Sequence, residues 1–381
     1  VVPAGNTTNT NLEITVNPNT ATSGTAANTD INLGFFTDCT GTLYNASVAT
    51  GDDPCDALSQ TTILECVAPG TTIYIAVGSA DGTEGDFSIN VNETNTGIPT
   101  NDLCIAPTPI TFTANCDFVP VTGTTLNACP EAVTGGACDL DDFPTVWYSA
   151  VLPAGGVGFG FDNLSAGLNI AIFQNNCPTL TQIGTCITSP VDVTTGFTAG
   201  STYLIAVRNT DPGAAVSFEI KTIVPPANDL CANSVLLTDN TAVNGTTACA
   251  TPFSTSFCGL NTTTSHTVFY RYVVPAGNTT NTNLEITVNP NTATTGTAAT
   301  VDINLGLFTD CSGTVYNANV ATGDDPCTAL GQTTVLECVA PGTTIYIAVG
   351  SANGNEGDFS INVNETNAGI PANDLCTAPT P

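Results

Sequence analysis

Residues 11–17 read NLEITVN, so that Leu12, Ile14 and Val16 alternate with polar neighbours. A period of two belongs to a half-buried β-strand, whose successive side chains point to opposite faces. Working outward, DINLGFF (30–36) places Ile31, Leu33 and Phe35 on one face. DFSINVN (86–92) does the same with Phe87, Ile89 and Val91. Between such runs lie the phrases TGDDP, APGTT, TNTGIP and LPAGG, in which Gly, Pro, Asn and Asp favour chain reversal. No helical period of useful length interrupts them. Many short alternating strands with this punctuation predict an all-β protein of tandem antiparallel jelly-roll-like β-sandwiches.

The chain also repeats itself. Residues 1–108 align without a gap to 273–380 and differ at 15 positions, giving a period of 272 residues. That is far longer than a solenoid unit. The phrase NDLC occurs at 101–104, 228–231 and 373–376, so one period holds two domains. They are related: DFPTVWYSAVLPAGG (142–156) matches TSHTVFYRYVVPAGN (264–278), and FTAGSTYLIAV (197–207) matches VAPGTTIYIAV (339–349). The expected order is the C-terminal part of a long-type sandwich (1–96), a short-type sandwich (97–224), a complete long-type sandwich (225–368) and the start of another short one (369–381). Short junctions bearing Pro99, Pro225, Pro226 and Pro371 limit bending and suggest a rod. The first stretch lacks a counterpart of 225–272. Its sheet edges are then covered by a continuing chain or by strands donated from a neighbouring subunit.

Composition narrows the function classes. With 33 acidic residues against 3 basic ones (Arg208, Lys221 and Arg271) the net charge is −30, which offers no cations to neutralise phosphates. Nucleic acid is excluded as a partner. No apolar run approaches the ~20 residues that cross a bilayer, so direct membrane insertion is not expected. Sixteen cysteines, no CxxC pair and a single histidine, His266, argue for disulfides rather than zinc and place the chain outside the reducing cytosol, at a cell surface or in a secreted filament. The absence of an initiator Met and a signal peptide suggests an excerpt of an exported, processed protein. Catalysis is not expected. One His, aligned with Pro144 of the short type, and cysteines committed to bridges leave no nucleophile–base pair.

Comparing the two types assigns the cysteines. Cys129 and Cys138 match Cys249 and Cys258, while Cys177 and Cys186 match Cys311 and Cys327. Cys104 and Cys116 remain in the short type, and Cys231 and Cys338 in the long. The expected pairs are 104–116, 129–138 and 177–186, then 231–338, 249–258 and 311–327, one choice among many connectivities. Cys39 and Cys55 occupy the positions of Cys311 and Cys327 in the first stretch and are likewise expected to be disulfide-bonded. Cys66 and Cys376 are expected to find no partner within the 381 residues.

Two binding chemistries have candidates. Asp52 and Asp53, repeated as Asp324 and Asp325, sit in ATGDDPC loops with Asp38 and Asp310 nearby, and the short type carries Asp139, Asp141 and Asp142. Such oxygen-rich loops suit Ca2+. The plainer reading, which the non-EF-hand spacing favours, is a solvated acidic turn held by Cys55 or Cys327. For glycans, Trp147 lies in an apolar strand and reads as core, whereas Tyr44 and Tyr316 read as exposed rings on which a sugar can stack.

ANDLC (227–231), VWYSAVLPAG (146–155), NIAIFQNNC (169–177), GDDPC (51–55) and PGTTIYIAVGS with GDFSINV (341–351, 357–363) together resemble the prepeptidase C-terminal-like β-sandwich domains. These are common in secreted proteins of Bacteroidota. There they stand beside secreted enzymes or in tandem in very large surface proteins, including gliding-motility-type adhesins exported by the type IX secretion system. The resemblance implies a structural repeat segment of an extracellular filament or giant adhesin, contacting copies of itself and surface glycans or other cells. A calcium-dependent or glycan-binding module, or an accessory domain of a secreted enzyme, is the alternative it implies.

Overall fold

The computed structural model describes residues 1–366 except 28–30, 45–47, 50–58, 80–81, 132–137, 139, 141–142, 175–176, 178, 212–214, 256–264, 296–297, 300–302, 317–319, 322–330 and 352–354. The alternation at 11–17 forms strand β1 (Thr10–Pro18), with Leu12, Ile14 and Val16 buried and the residues between them half-exposed. β1 lies between β4 (Gln60–Val67) and β6 (Phe87–Thr94), antiparallel to both, and β3 (Val48–Ala49) borders β4. β2 (Ile31–Phe36) and β5 (Tyr74–Ser79) pair as a second sheet. The inward faces of the two sheets share one core of Leu12, Ile14 and Val16 with Ile31, Leu33 and Phe35.

The next stretch supplies β7 (Thr108–Pro109), β8 (Val119–Thr124), β9 (Thr145–Val151), β10 (Gly158–Asp162), β11 (Leu168–Gln174), β12 (Thr181–Ile187), β13 (Val191–Val193), β14 (Thr202–Asn209) and β15 (Ala215–Ile223). They form two sheets, β13-β10-β15-β8 and β12-β11-β14-β9-β7. The long-type stretch supplies β16 (Val235–Leu236), β17 (Val243–Thr246), β18 (Thr267–Val273), β19 (Thr282–Pro290), β20 (Ile303–Phe308), β21 (Val320–Ala321), β22 (Gln332–Val339), β23 (Thr344–Ser351) and β24 (Asp358–Thr366). Its sheets are β17-β24-β19-β22-β21 and β16-β18-β23-β20. Counted within either stretch, the second, ninth, fourth and seventh strands neighbour one another, and so do the third, eighth and fifth. That interleaving is jelly-roll order, and the all-β sandwich expectation holds.

The 272-residue register makes β1–β6 the counterparts of β19–β24. In the long stretch β17 borders β24 and β18 borders β23. In the first stretch, among the described residues, β6 is a sheet edge and β5 has β2 alone as a neighbour. Burial follows. Phe359, Ile361 and Val363 are 0% exposed, but Phe87, Ile89 and Val91, in the same local sequence, are 40%, 42% and 46% exposed.

By internal contacts the chain divides into two compact units. One comprises Val1–Thr111, Phe118–Leu152 and Phe159–Ile220, and the other Phe112–Asp117, Pro153–Gly158 and Lys221–Pro381. No helix among the described residues is long and apolar enough to cross a membrane.

Candidate functional site: the clasps at the NDLC phrases

Each of the two described NDLC phrases, at 101–104 and 228–231, divides its work among three side chains. Asn101 grips β9 twice: its side-chain Nδ2 donates to Trp147 O at 2.8 Å, and its backbone carbonyl accepts Trp147 N at 2.8 Å. Asn228 grips β18 in the same way, donating to Phe269 O at 3.0 Å and accepting Phe269 N at 2.9 Å. The short amide supplies the donor and the residue's own backbone carbonyl the acceptor, so that one asparagine mimics the ladder of a neighbouring strand. The segment just beyond then pairs parallel to the same strand, as β7 on β9 and β16 on β18.

The cysteine covers the outer face of that sheet. Cys104 bonds Cys177, just past β11, and Cys231 bonds Cys311, just past β20. Beneath them lie satellite cores outside the sandwich interior. Trp147, Ala171, Phe173, Leu204 and Ala206 pack with Cys104 and Cys138 in the short type, and Phe269, Phe308 and Ala348 with Cys231 in the long. Cys138–Cys186 closes the same face of the short type. The expected pairs 104–116, 129–138 and 177–186 are therefore corrected, as are 231–338, 249–258 and 311–327. The reason is strand order: the fifth strand of a jelly roll ends on the sheet that carries the third, so the opening cysteine meets it whichever type follows.

Two further bridges cross from one sequence sandwich to the next. Cys66, on β4, bonds Cys129 of the short type, and Cys116 of the short type bonds Cys249 of the long. Cys66 thus has a partner, contrary to expectation. Cys129 and Cys249 are equivalent positions, so one rule covers both bridges: this cysteine always reaches back to the preceding sandwich. The β1–β4 ladder slips register between Thr10 and Leu12. There Cys66 takes a left-handed φ of 59° with its N–H on Asn11 Oδ1 at 3.1 Å. A bulge of this kind re-aims a side chain out of the ladder. Cys338 repeats the geometry, with φ 56° and its N–H on Asn283 Oδ1 at 3.0 Å, yet it carries an exposed thiol, as does Cys39, so the bridges expected of both are corrected.

Carboxylates complete the clasps. Asp102 is fully buried and accepts Asn9 N at 3.2 Å, Asn9 Nδ2 at 2.9 Å and Cys129 N at 2.6 Å. Glu131 accepts Cys104 N at 3.0 Å. Burial pushes both carboxyls above their ordinary values against these bonds, and the charge of Asp102 adds to the rise at Glu131. At the other crossing Glu356 accepts Cys249 N at 3.0 Å and lies 3.4 Å from His266 Nδ1 and 3.9 Å from Lys221 Nζ. Ile223, Val224 and Ala248 pack around Cys116 and Cys249. Asp229, the counterpart of Asp102, holds Thr251 N and Thr251 Oγ1 instead.

The other candidates are distributed as follows. Asp52, Asp53, Asp324, Asp325, Asp139, Asp141 and Asp142 lie outside the described residues, as do Cys55, Cys258, Cys327 and Cys376. Asp38 accepts Thr40 N at 2.8 Å and Thr42 N at 3.2 Å, and Asp310 accepts Ser312 N at 2.9 Å and Thr314 N at 3.3 Å. Each thus holds its own turn. Cys104, Cys177 and Glu131 cluster within 4.8 Å, but the bridged sulfurs are no thiolates and the trio does not fit a cation. Trp147 is fully buried, as read. Tyr44 and Tyr316 are half-buried and packed against the sandwich cores rather than exposed as expected. The three cations all have internal contacts: Arg208 stacks on Phe143 at 4.6 Å, Lys221 meets Glu356, and Arg271 Nη1 donates to Ser234.

Asp358 is, like Glu131 and Glu356, a structural carboxylate that escaped the sequence reading. It is buried and accepts Thr294 N at 2.9 Å and Thr295 Oγ1 at 2.8 Å. The preceding Gly357 has no room for a side chain, since a Cβ would stand 2.4 Å from Ala299 Cα. The gap-free recurrence of Gly-Asp at 85–86 and 357–358 was the available signal.

No family model and no curated protein matches the chain. Among solved structures it is similar to the crystal structure of PBSX exported protein XepA, at 12% identity with a TM-score of 0.16, over 67% of this chain and 90% of that one. A likeness at that level carries no argument about fold or function.

Proposed function

We propose that the chain is a structural repeat segment of an extracellular filament or giant cell-surface adhesin, giving length, stiffness and resistance to unfolding rather than catalysis. One observation carries this reading: successive sandwiches are joined by disulfides as well as by backbone, Cys66 to Cys129 and Cys116 to Cys249. Bridges that span 63 and 133 residues each remove about 4–5 kcal/mol of unfolded-state entropy in the loop-closure description. A binding domain gains little from covalent coupling to its neighbours, whereas a load-bearing one does. The internal contacts of all three cations leave a surface that is neutral or acidic, which suits a structural element in the open and gives trypsin-like proteases few sites. Bacteroidota origin and type IX export belong to this proposal through the resemblance alone.

The test is extraction from the producing cell. Material boiled with reductant and probed with antibodies to the chain is expected to run far above 38.6 kDa, and immunogold on intact cells to mark linear surface structures. A band near that mass, or label confined to the cytoplasm, contradicts the proposal.

A further inference from the structure

The first sandwich carries a surface whose occupant can be named from this chain. In the long stretch Val243 opposes Ile361, Tyr270 lies edge-on to Phe359 with ring centroids 6.1 Å apart, and Tyr270, Tyr272 and Leu237 share one core with Ile303, Val349, Phe359, Ile361 and Val363. The first sandwich has the same receiving residues: Ile31, Val77 and Phe87 line an open cleft of ≈ 260 Å³, with Ile89 and Val91 exposed alongside. Tyr74, 44% exposed, stands where Tyr346 packs under Cys231. A row of apolar side chains along an unpaired strand edge is a template for strand addition.

A second observation is independent of the apolar face. Cys39 is an exposed thiol, and the 272-residue register equates it with Cys311, which bonds the NDLC cysteine Cys231. The same incoming segment that fills the cleft therefore carries a partner for Cys39.

We infer that β5 and β6 of the first sandwich receive a segment of the 225–273 type from a further long-type repeat of this protein, and that Cys39 seals it through a disulfide to that segment's NDLC cysteine. The bond needs an oxidant, and a low-molecular-weight disulfide supplies it. One protein thiolate attacks that disulfide and expels a small thiolate. The second protein thiolate then displaces the other small thiolate, so two protein thiols become one bridge and two small thiols leave. This inference rests on the repeat-segment reading and names the partner of one of its surfaces.

The 381-residue chain is incubated in glutathione redox buffer with a synthetic peptide of residues 225–273 in which Cys249 and Cys258 are Ser. Expected are a mixed disulfide between Cys39 and Cys231 of the peptide, and amide exchange in residues 74–79 and 87–94 slowed at least about tenfold. The Cys39→Ser variant should keep the slowed exchange and lose the adduct. Unchanged exchange in 87–94, or adducts on Cys338 as abundant as those on Cys39, overturns the inference. Neither failure alters the mass and location on which the repeat-segment reading depends, so the two stand or fall separately.

Discussion

Pulling the oxidised chain from its two ends exposes what the bridges do together, because they interlock. Between Cys66 and Cys311 lie 245 residues of backbone. A shorter covalent route exists: across to Cys129, back 13 residues to Cys116, across to Cys249, back 18 residues to Cys231, and across to Cys311. Only 31 residues of that route are extensible. At roughly 3.5 Å per extended residue this stretch reaches about 110 Å when oxidised and about 860 Å when reduced. Single-molecule force spectroscopy, with and without dithiothreitol, should thus find about 750 Å of contour length appearing on reduction. Removing one crossing with the double substitution Cys116→Ser/Cys249→Ser reroutes the load through Cys138–Cys186 and leaves 54 extensible residues, lengthening the oxidised chain by about 80 Å. Pairing confined to each sandwich would instead leave 146 residues, about 510 Å. An oxidised extension near that value, or one insensitive to reductant, refutes the interlocked route.

Four further outcomes follow from the same contacts. Asp102→Ala strands the buried N–H groups of Asn9 and Cys129 and should cost about 2–4 kcal/mol in urea unfolding, while Asp229→Ala, at an exposed contact, should cost about 1 kcal/mol or less. Ile361→Ala, at a fully buried site, should cost about 2–5 kcal/mol, and Ile89→Ala, half-exposed in the same local sequence, less than about 1 kcal/mol. Gly357→Ala, with 2.4 Å of room, should lower the melting temperature by the equivalent of about 1–3 kcal/mol, with Gly277→Ala, which meets nothing within 4 Å, as the neutral control. Stability should peak in mild acid. Asp102 and Glu131 titrate above their unfolded values, so the folded state binds more protons and loses stability as pH rises through that window. Asp38, held down by bonds from Thr42 and Thr40, and Asp310, held at about 2 by Ser312 and Thr314, lose their contribution as pH falls below the ordinary carboxylate range. Thermal melts from pH 2 to 8 check both limbs, and Glu131→Gln should flatten the upper one.

Alternation was enough to read β1, β2 and their counterparts, because one buried face imposes a period of two on each. The core position of Trp147 was legible for the same reason. Disulfide partners were not. Cys104 and Cys177 are 73 residues apart, and they meet only because jelly-roll order sets the end of β11 near the opening turn. Cys66 read as a cysteine without a mate because pairing was sought inside each sandwich. Yet the equivalence of Cys129 with Cys249, each following a sandwich that holds an extra cysteine, was the sequence trace of a bridge that reaches backwards. Nor does local sequence distinguish Phe87 from Phe359. Their difference in burial comes from β17 and β18, elements far away in the chain.

The crossing bridges themselves are tested most directly by mass spectrometry of the chain digested under non-reducing conditions with pepsin, since three basic residues give trypsin little to cut. Linked peptides containing Cys66 with Cys129, and Cys116 with Cys249, are the expected result. Recovery of Cys104 with Cys116 and of Cys129 with Cys138 in their place would mean that each sandwich is stapled only to itself, and that no covalent tie beyond the backbone joins one to the next.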